Sequence, residues 1–514
     1  MAGVLKNAFT VGSFTALSRV FGLIREMLQS RLMGAGMEQS AFALSFALPN
    51  MMRKLFGEGA LTAAFVPVFK DSLENEGHKQ AEKLARAVMT TVTMLLLSFV
   101  ASCFVITGIL LNYVTSPRGV LILQLCSILF PYMLAICAAA FGMAVLNSLG
   151  KFKASGFMPV ILNLVWIAAL SILLFLPSNS LSLDARARYI SLAVLIGGFS
   201  QMAFIFVCMY RAGIKPLPLF SFWRNEKVRL VWRNLGIGAL GAGAVQINYM
   251  LDQVLAQAAS PWAAGVISYA ERLMDLPLGI IGVSFGTVLL PAFSGCFAKG
   301  DINGARLAFR ESVNNQMFLM LPAAAGLFVL SSEVTSLIYE GGKFSDLDTM
   351  RVSRAVMAYT AGLAFFGLQK ALVPWFQAQK DMKTPLKVSV VSVIINAILN
   401  VLAVCLLPEE YRYVGLALST VVCSFLSSAL LIYFTGRKDK SLKVDFSVGY
   451  LLKVALASVL MAIIVVVTRE LFVSSSNVFV VLSICISAGG ISYLCFSFLL
   501  GTISTSLLKR FIRR

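Results

Sequence analysis

The chain has 514 residues, of which 58% are hydrophobic and 13% are charged. Soluble domains carry about 25% charged and about 45–50% apolar residues, so this composition excludes a water-soluble fold and makes the bilayer the expected solvent. The net charge is +19, but the basic residues lie between apolar stretches and form no discrete basic domain, which argues against a nucleic-acid partner.

The apolar stretches predict an all-α polytopic membrane protein. A spanning helix needs about 20 mostly apolar residues, and fourteen stretches meet this requirement. The first, second, seventh and eighth are weaker because they contain charged or several polar groups. The predicted spans cover residues 8–33, 40–69, 87–113, 119–148, 157–177, 188–210, 233–258, 262–293, 313–332, 351–378, 385–407, 414–435, 447–469 and 477–502.

The loops between the spans alternate in charge. Loops after even-numbered spans are rich in Lys and Arg, as in residues 70–86, whereas loops after odd-numbered spans are sparse, as around Arg118. Positive residues concentrate in cytoplasmic loops. Both termini are therefore predicted to be cytoplasmic in a multi-pass protein of the bacterial inner membrane.

The chain also repeats itself at a displacement of six predicted spans. Arg86 matches Arg310, and more weakly Asn163 matches Asn396. Six is an even number, so the repeats share one orientation, as in parallel-repeat transporters; chance similarity between apolar segments is the alternative. The predicted domains are an N-lobe at 1–212, a cytoplasmic linker at 213–232, a C-lobe at 233–440, and spans 13 and 14 with a basic tail at 441–514.

Arginines inside the weaker spans are the candidate substrate ligands. Charge at membrane depth costs about 2.5–3.5 kcal/mol on insertion scales and usually faces a cavity or a partner. Arginine stays charged, and its planar fork binds phosphate through two hydrogen bonds. These residues predict a cationic cavity for an anionic lipid-linked substrate. The candidates are Arg19, Arg25, Arg53 and Arg272.

Acidic neighbours provide an alternative explanation for some of these arginines. Pro49 predicts a bend or break in span 2 that places Arg53 and Glu58 in the interior, and Arg272 and Asp275 are spaced i, i+3 on one face of span 8. Arg25 and Arg53 therefore have a second interpretation, as structural ion pairs with Glu26 or Glu58 or as side chains that reach the membrane surface.

Polar side chains in three other spans form a candidate cation site. Span 7 contains Asp252, span 11 contains Asn396 and Asn400 at i, i+4, and Thr420 lies in span 12. Hard oxygen atoms of this kind bind small cations. Interhelical hydrogen bonding, which membrane bundles use routinely, is the alternative.

Several motifs resemble the MurJ (MviN) family of the multidrug/oligosaccharidyl-lipid/polysaccharide exporter superfamily, over essentially the whole chain. The resemblance implies a flippase for lipid II, the undecaprenyl-pyrophosphate-linked peptidoglycan precursor. The motifs are Ser18–Arg25, Gly34–Gly36, Leu48–Arg53, Glu58–Ala60, Phe65–Pro67, Tyr269–Met274 and Lys383–Pro385.

The resemblance also implies roles for single residues. The cavity arginines of the family fall on the four candidates above, and Glu58 and Asp275 match family acidic positions used in gating or ion pairs. Sodium bound by some members implies a site at Asp252, Asn396, Asn400 and Thr420. Two departures affect these roles: Ser40 stands where the family often has an aspartate, and Asn400 replaces another aspartate.

The implied mechanism is alternating access, with the isoprenoid tail in the bilayer beside spans 13 and 14. Inward sodium or the membrane potential, about 2.3 kcal/mol per charge per 100 mV, would drive the cycle. No other cofactor is expected. The expected partners are lipid II and membrane lipids, and the expected functional form is a monomer associated with the cell-wall synthesis machinery.

Three alternative functions remain at the sequence level. A drug or cation antiporter of the same superfamily would need an acidic cavity, whereas this one is basic. Another polyprenyl-pyrophosphate-oligosaccharide flippase would share the cationic site. A membrane enzyme is not expected, because the only histidine, His78, lies in a charged loop and no catalytic or acidic metal-binding motif is present.

Overall fold

The computed structural model describes residues 2–55, 60–177, 180–220, 226–279, 283–437, 440–444, 446–472 and 477–502. Within these ranges the chain is built from helices joined by short turns, and the one β-type pairing is an isolated bridge between Gly341 and Phe344. The predicted all-α class is confirmed.

The described residues of the first half of the chain form eight helices. Two of them begin with a serine cap; at one, Ser116 Oγ accepts a hydrogen bond from the Gly119 amide while Pro117 occupies the first helical turn. The helices are α1 Ala2–Met33, α2 Met37–Arg53, α3 Ala60–Asn75, α4 His78–Leu111, α5 Pro117–Ser148, α6 Phe152–Phe175, α7 Leu183–Arg211 and α8 Glu226–Ala259.

The second half forms ten helices and two short 3₁₀ turns, at Glu409–Tyr411 and Lys440–Leu442. Helix α13 begins with a capping box between Ser345 and Asp348. The helices are α9 Ala263–Pro277, α10 Val283–Ala298, α11 Ile302–Val329, α12 Ser331–Tyr339, α13 Asp346–Thr360, α14 Leu363–Ala378, α15 Lys383–Leu406, α16 Arg412–Thr435, α17 Val448–Phe472 and α18 Val478–Leu499.

The helices group into two compact units. The first comprises Met1–Gly265 with Gly341–Phe344, and the second Val266–Glu340 with Ser345–Arg514. The predicted N-lobe ends earlier, before the 213–232 linker, whereas α8 groups with the first unit because it packs against α2 and α3. The lobes were defined by the internal repeat rather than by packing, so their boundaries stay a prediction.

Residues 341–344 belong to the first unit because they pack on the end of α1. The Lys343 amide donates to the Arg31 carbonyl at 2.8 Å. Gly342 has a φ of +62°, and a Cβ there would lie 2.3 Å from the Arg31 carbonyl oxygen. Only glycine fits this position, both for its left-handed backbone and for its close contact.

Two predicted spans each contain two of these helices. Helix α2 contains Pro49 and continues to Arg53, π-helical backbone follows at residues 54 and 55, and α3 begins at Ala60. Helix α9 ends at Pro277, and α10 begins at Val283. Residues 56–59 and 280–282 lie outside the described residues, so the predicted bend or break in span 2 stays a prediction.

Not every predicted span corresponds to a helix that is long and apolar enough to cross a bilayer. Eight helices of the described ranges are long and apolar enough to cross a bilayer, or ten if two bent pairs each count as one span. The bent pairs are α11–α12 at 75° and α13–α14 at 46°. This count leaves out helices α1, α2, α8 and α9, which belong to the four predicted spans that contain charged or several polar groups. The number of fourteen membrane spans therefore stays a prediction.

Small residues bring the helices of the first unit into close contact. A Cβ added at Gly142 in α5 would lie 2.4 Å from Ile205 in α7, and one at Gly198 in α7 would lie 2.3 Å from the Tyr132 ring. Such close packing drives helix association in lipid, where the hydrophobic effect between helices is absent. Helix α6 packs on α7 and also along α1, which places it beside the candidate arginines of α1.

Candidate substrate site

The two arginines of α1 have different surroundings. Their six-residue spacing separates them by about 9 Å along the helix axis and by about 120° around it. Arg19 is exposed, whereas the Arg25 side chain is 13% exposed and directed toward α6.

Arg25 is held by three neighbours within the first unit. Its Nη1 donates to Asn163 Oδ1 at 3.0 Å, and its Nη2 donates to Glu26 Oε1 at 2.5 Å. Its guanidinium carbon lies 4.4 Å from the centroid of the Trp166 ring, within the range of a cation–π interaction. The ion pair with Glu26 proposed as an alternative is therefore present, and contact between Arg25 and a substrate stays a prediction.

One edge of the Arg25 guanidinium has a hydrogen-bond partner on only one of its two donors. Its Nε is buried and has no hydrogen-bond partner among the described residues. Nε and Nη2 form the edge that binds two oxygens of a phosphate or carboxylate, and here Glu26 occupies Nη2 through a single oxygen. This geometry leaves a donor suited to an anionic ligand.

Asn163, on α6, anchors this arrangement. It is 6% exposed, and its Nδ2 donates to the Ser18 carbonyl at 3.0 Å while its Oδ1 accepts from Arg25. Sequence reasoning noted Asn163 only for its match with Asn396. An asparagine inside an apolar span, at a repeated position, is the sequence signal that could have singled it out as a partner of Arg25.

Trp166, one turn beyond Asn163, belongs to an aromatic cluster. It is 2% exposed, and its ring meets those of Phe42 and Phe46 edge-on at 5.7 and 5.8 Å. The cluster fixes the indole face on which Arg25 rests. Sequence reasoning did not identify Trp166.

Arg53 lies at the end of α2 and is half-buried. Its Nε donates to Asn50 Oδ1 at 3.2 Å, one turn earlier in the helix. Its predicted partner, Glu58, lies outside the described residues, so the Arg53–Glu58 pair stays a prediction.

Ser40 is completely buried and hydrogen-bonded to another helix. Gln257 of α8 donates from Nε2 to the Ser40 carbonyl at 2.7 Å and to Ser40 Oγ at 3.1 Å, and Arg118 Nε donates to Gln257 Oε1 at 2.9 Å. Sequence reasoning missed Arg118 and Gln257. A chain of hydrogen bonds from the Arg118 cation through the Gln257 amide therefore reaches the position where the resemblance leads one to expect a carboxylate.

The fourth candidate arginine lies in the second unit. Arg272 and Asp275 are both exposed on α9. Their i, i+3 spacing permits a pair on one face, and this pairing stays a prediction.

The candidate cation ligands belong to both units. In the second unit, Asn400 Nδ2 donates to Asn396 Oδ1 at 2.8 Å, and Asn396 Nδ2 lies 3.5 Å from Thr420 Oγ1. In the first unit, Asp252 Oδ2 accepts from Asn248 Nδ2 at 3.2 Å. Buried amide and hydroxyl oxygens fit a sodium ion chemically, but Asn396 Oδ1 already accepts a hydrogen bond. Only the contact between Asn396 and Thr420 joins two helices, as the interhelical hydrogen-bonding alternative requires; the other two lie within α15 and α8.

Comparison with known proteins identifies the family. The model of the family described as "Lipid II flippase MurJ" matches residues 29–488. A relative from Rhizobium tropici, described as "Probable lipid II flippase MurJ", is 30% identical over 99% of this chain and 97% of its own length.

Solved structures show the same fold. One described as "Lipid II flippase MurJ, inward closed conformation" matches with a TM-score of 0.79 and 24% identity, covering 98% of this chain and 99% of that one. An inward-facing multidrug resistance MATE family transporter of the MOP superfamily matches with a TM-score of 0.66 and 14% identity, covering 82% and 96%. At these identities the likeness shows the fold alone.

Apolar helices and family together make this a multi-pass membrane protein. The family match covers most of the chain, including α2 to α17 and the part of α1 that follows Arg25. The chain belongs to the lipid II flippase MurJ family.

Proposed function

We propose that this protein moves lipid II from the cytoplasmic to the periplasmic leaflet of the bacterial inner membrane by alternating access. The family match over residues 29–488 carries the proposal. Movement across the bilayer changes no covalent bond, so the protein is a transporter and not an enzyme. Both termini lie in the cytoplasm in this proposal, as the alternation of basic loops predicts.

Arginine side chains bind the pyrophosphate of the substrate in this proposal. Arg25 supports it best, because a cation in a largely buried setting retains a donor that has no partner among the described residues. Arg19 and Arg53 belong to the same unit and add positive charge, and Arg272 adds charge from the second unit. Glu58 and Asp275 would shield these arginines between transport cycles.

The lipid tail stays in the bilayer beside the last two helices. Helices α17 and α18 pack against each other and expose apolar side chains, including Leu452 and Ile491. Apolar surface of this kind suits an isoprenoid chain, which gains nothing from leaving the hydrocarbon.

Sodium or the membrane potential supplies the energy in this proposal. Asn396, Asn400 and Thr420 would contribute neutral oxygen ligands, and Asp252 would contribute a carboxylate. A bound cation would supply positive charge that links the transport cycle to the ion gradient. The protein would act as a monomer in contact with membrane lipids and with the enzymes of cell-wall synthesis.

The test is a lipid II accessibility assay in cells depleted of their own lipid II flippase. Expression of this chain is expected to restore growth and to restore cleavage of lipid II by an enzyme confined to the periplasmic side. Unchanged accessibility would overturn the proposal. Protection of the same cells against cationic dyes would favour the antiporter alternative instead.

A further inference from the structure

We infer that Asn163 is a positioning residue for substrate binding, which holds the Arg25 guanidinium so that its Nε–Nη2 edge is available to a phosphate. The inference rests on the proposed function, because the phosphate belongs to the pyrophosphate of the proposed substrate. It adds a neutral residue of α6 that the sequence analysis noted only for its match with Asn396.

The contact between Asn163 and Arg25 uses the nitrogen that the phosphate-binding edge does not need. Asn163 Oδ1 accepts from Nη1 at 3.0 Å. Nε and Nη2 form a different edge of the planar guanidinium, which this contact does not use. A neutral amide orients the guanidinium without cancelling its charge, whereas a carboxylate at this position would neutralise it.

Asn163 is itself held rigidly. Its Nδ2 donates to the Ser18 carbonyl at 3.0 Å, and the residue is 6% exposed. Ser18 and Arg25 are seven residues apart, about two turns, and therefore share one face of α1. One amide thus joins α6 to two levels of α1, and it cannot rotate without losing a hydrogen bond.

Trp166 restricts the remaining freedom of the guanidinium. Its ring lies 4.4 Å from the guanidinium carbon and is itself 2% exposed. With one face on the indole and Nη1 on Asn163, the plane and the rotation of the group are both set. Pre-organised donors of this kind bind an anion without a further ordering cost.

The available edge has one occupant and one unmet donor. Glu26 Oε1 accepts from Nη2 at 2.5 Å, and the buried Nε has no partner among the described residues. A phosphate offers two oxygens at the spacing of this edge and would satisfy both donors once it replaces Glu26 at Nη2. A buried donor without a partner is unfavourable, so a ligand that reaches it is favoured.

The experiment measures lipid II binding to the full-length protein in nanodiscs by native mass spectrometry. Asn163→Ala is expected to weaken binding about tenfold, the effect of one hydrogen bond to a charged group. Asn163→Asp keeps the acceptor and the volume of the side chain. It is also expected to weaken binding, because its carboxylate would compete with phosphate for the guanidinium.

The same substitution in an Arg25→Lys variant distinguishes positioning of the guanidinium from simple support of the fold. Lysine has no Nη1 and no planar fork, so in Arg25→Lys the change Asn163→Ala is expected to alter affinity less than about twofold. Asn147→Ala is the matched control. Asn147 Oδ1 accepts from Ser155 Oγ at 2.6 Å between α5 and α6, and its loss is expected to leave affinity unchanged.

The outcomes are distinguishable. If the wild-type protein does not bind lipid II, both the proposed function and this inference fail. If it binds, but both Asn163 variants keep wild-type affinity, or Asn163→Ala causes equal losses in both Arg25 backgrounds, the inference alone fails.

Discussion

At the scale of single residues, the candidate arginines differ in burial. Arg25 is engaged by an amide, a carboxylate and an indole, whereas Arg19 and Arg272 are exposed on their helices. Exposure in a protein that spans a membrane means contact with lipid or with an aqueous cavity. A charged group gains only from the cavity.

Arg19 and Arg272 are therefore expected to contact the substrate. Arg19→Ala and Arg272→Ala should each lower lipid II binding about ten- to hundred-fold, because a hydrogen bond to a charged group is worth about 1.5–3 kcal/mol. Complementation at normal expression and binding in nanodiscs measure this. Arg188→Ala, at an exposed arginine of α7, is the control and should grow normally. Full growth of both test variants would contradict the cationic site.

Asn400 is expected to limit sodium binding. Asn400→Asp introduces a carboxylate at a buried amide, and a charged oxygen ligand binds a cation more strongly than a neutral one. The thermal unfolding midpoint of this variant should rise in sodium chloride relative to choline chloride at equal ionic strength, and more than that of the wild type. Potassium chloride serves as the control salt. Equal midpoints in sodium and choline would show that the predicted sodium ligands do not bind sodium.

At the scale of helices, a cluster of ion pairs at the surface joins two helices of the first unit. The start of α8 is tied to the end of α3, where Lys227 Nζ lies 2.9 Å from Asp71 Oδ2 and 3.1 Å from Glu76 Oε2. The hydrogen bond from Lys227 lowers the pKa of Asp71, and those from Ser72 and Lys227 lower the pKa of Glu76.

The ion pairs of Lys227 with Asp71 and Glu76 are expected to make the packing of α8 on α3 pH-dependent. Burial acts to lower the pKa of Lys227, but the hydrogen bonds to Asp71 and Glu76 outweigh it and raise the pKa. Carboxyl groups with a lowered pKa stabilise the fold above their unfolded pKa of about 4, and this contribution is lost as the pH falls through the lowered value. The lysine contribution is lost at the alkaline end, as the pH rises through its raised pKa.

Lys227→Met tests this expectation by thermal unfolding. Its midpoint should lie slightly below that of the wild type at pH 7, and the difference should shrink as the pH falls below about 4 through the lowered pKa values of Asp71 and Glu76. The difference should also shrink in high salt, because the two carboxylates are exposed. Lys299→Met, at an exposed lysine of the second unit, should behave like the wild type at every pH. A difference that stays constant as the pH falls from 7 to well below 4 would contradict the ion-pair explanation.

At the scale of the whole molecule, the charge of the loops predicts the orientation in the membrane. In a variant without the nine native cysteines, Thr115→Cys should react with a membrane-impermeant maleimide in intact cells with a permeabilised outer membrane. Lys299→Cys should react only after lysis. Both positions are exposed, so accessibility to the reagent depends on the side of the membrane. Reaction of Lys299→Cys in intact cells would overturn the predicted topology.

The helical class and the family could both be predicted from the sequence, because each depends on local properties of the chain. Apolar length predicts a helix in lipid, and the motifs around Arg19, Arg25 and Arg53 are contiguous. The four polar spans were the limit of this approach. Their charged and polar residues lower the hydropathy on which span prediction depends. The helices in these spans are also not among those that are long and apolar enough to cross a bilayer.

The surroundings of the arginines depend on tertiary structure. Asn163 lies 138 residues from Arg25 in sequence, and Gln257 lies 217 residues from Ser40. No local pattern encodes such contacts, since they arise only when α1 packs on α6 and α2 on α8. The sequence by itself determined that cations lie inside a membrane protein of this family; only the packed helices decided which nitrogen of Arg25 is occupied and which is available, because a hydrogen bond depends on the relative positions of distant side chains.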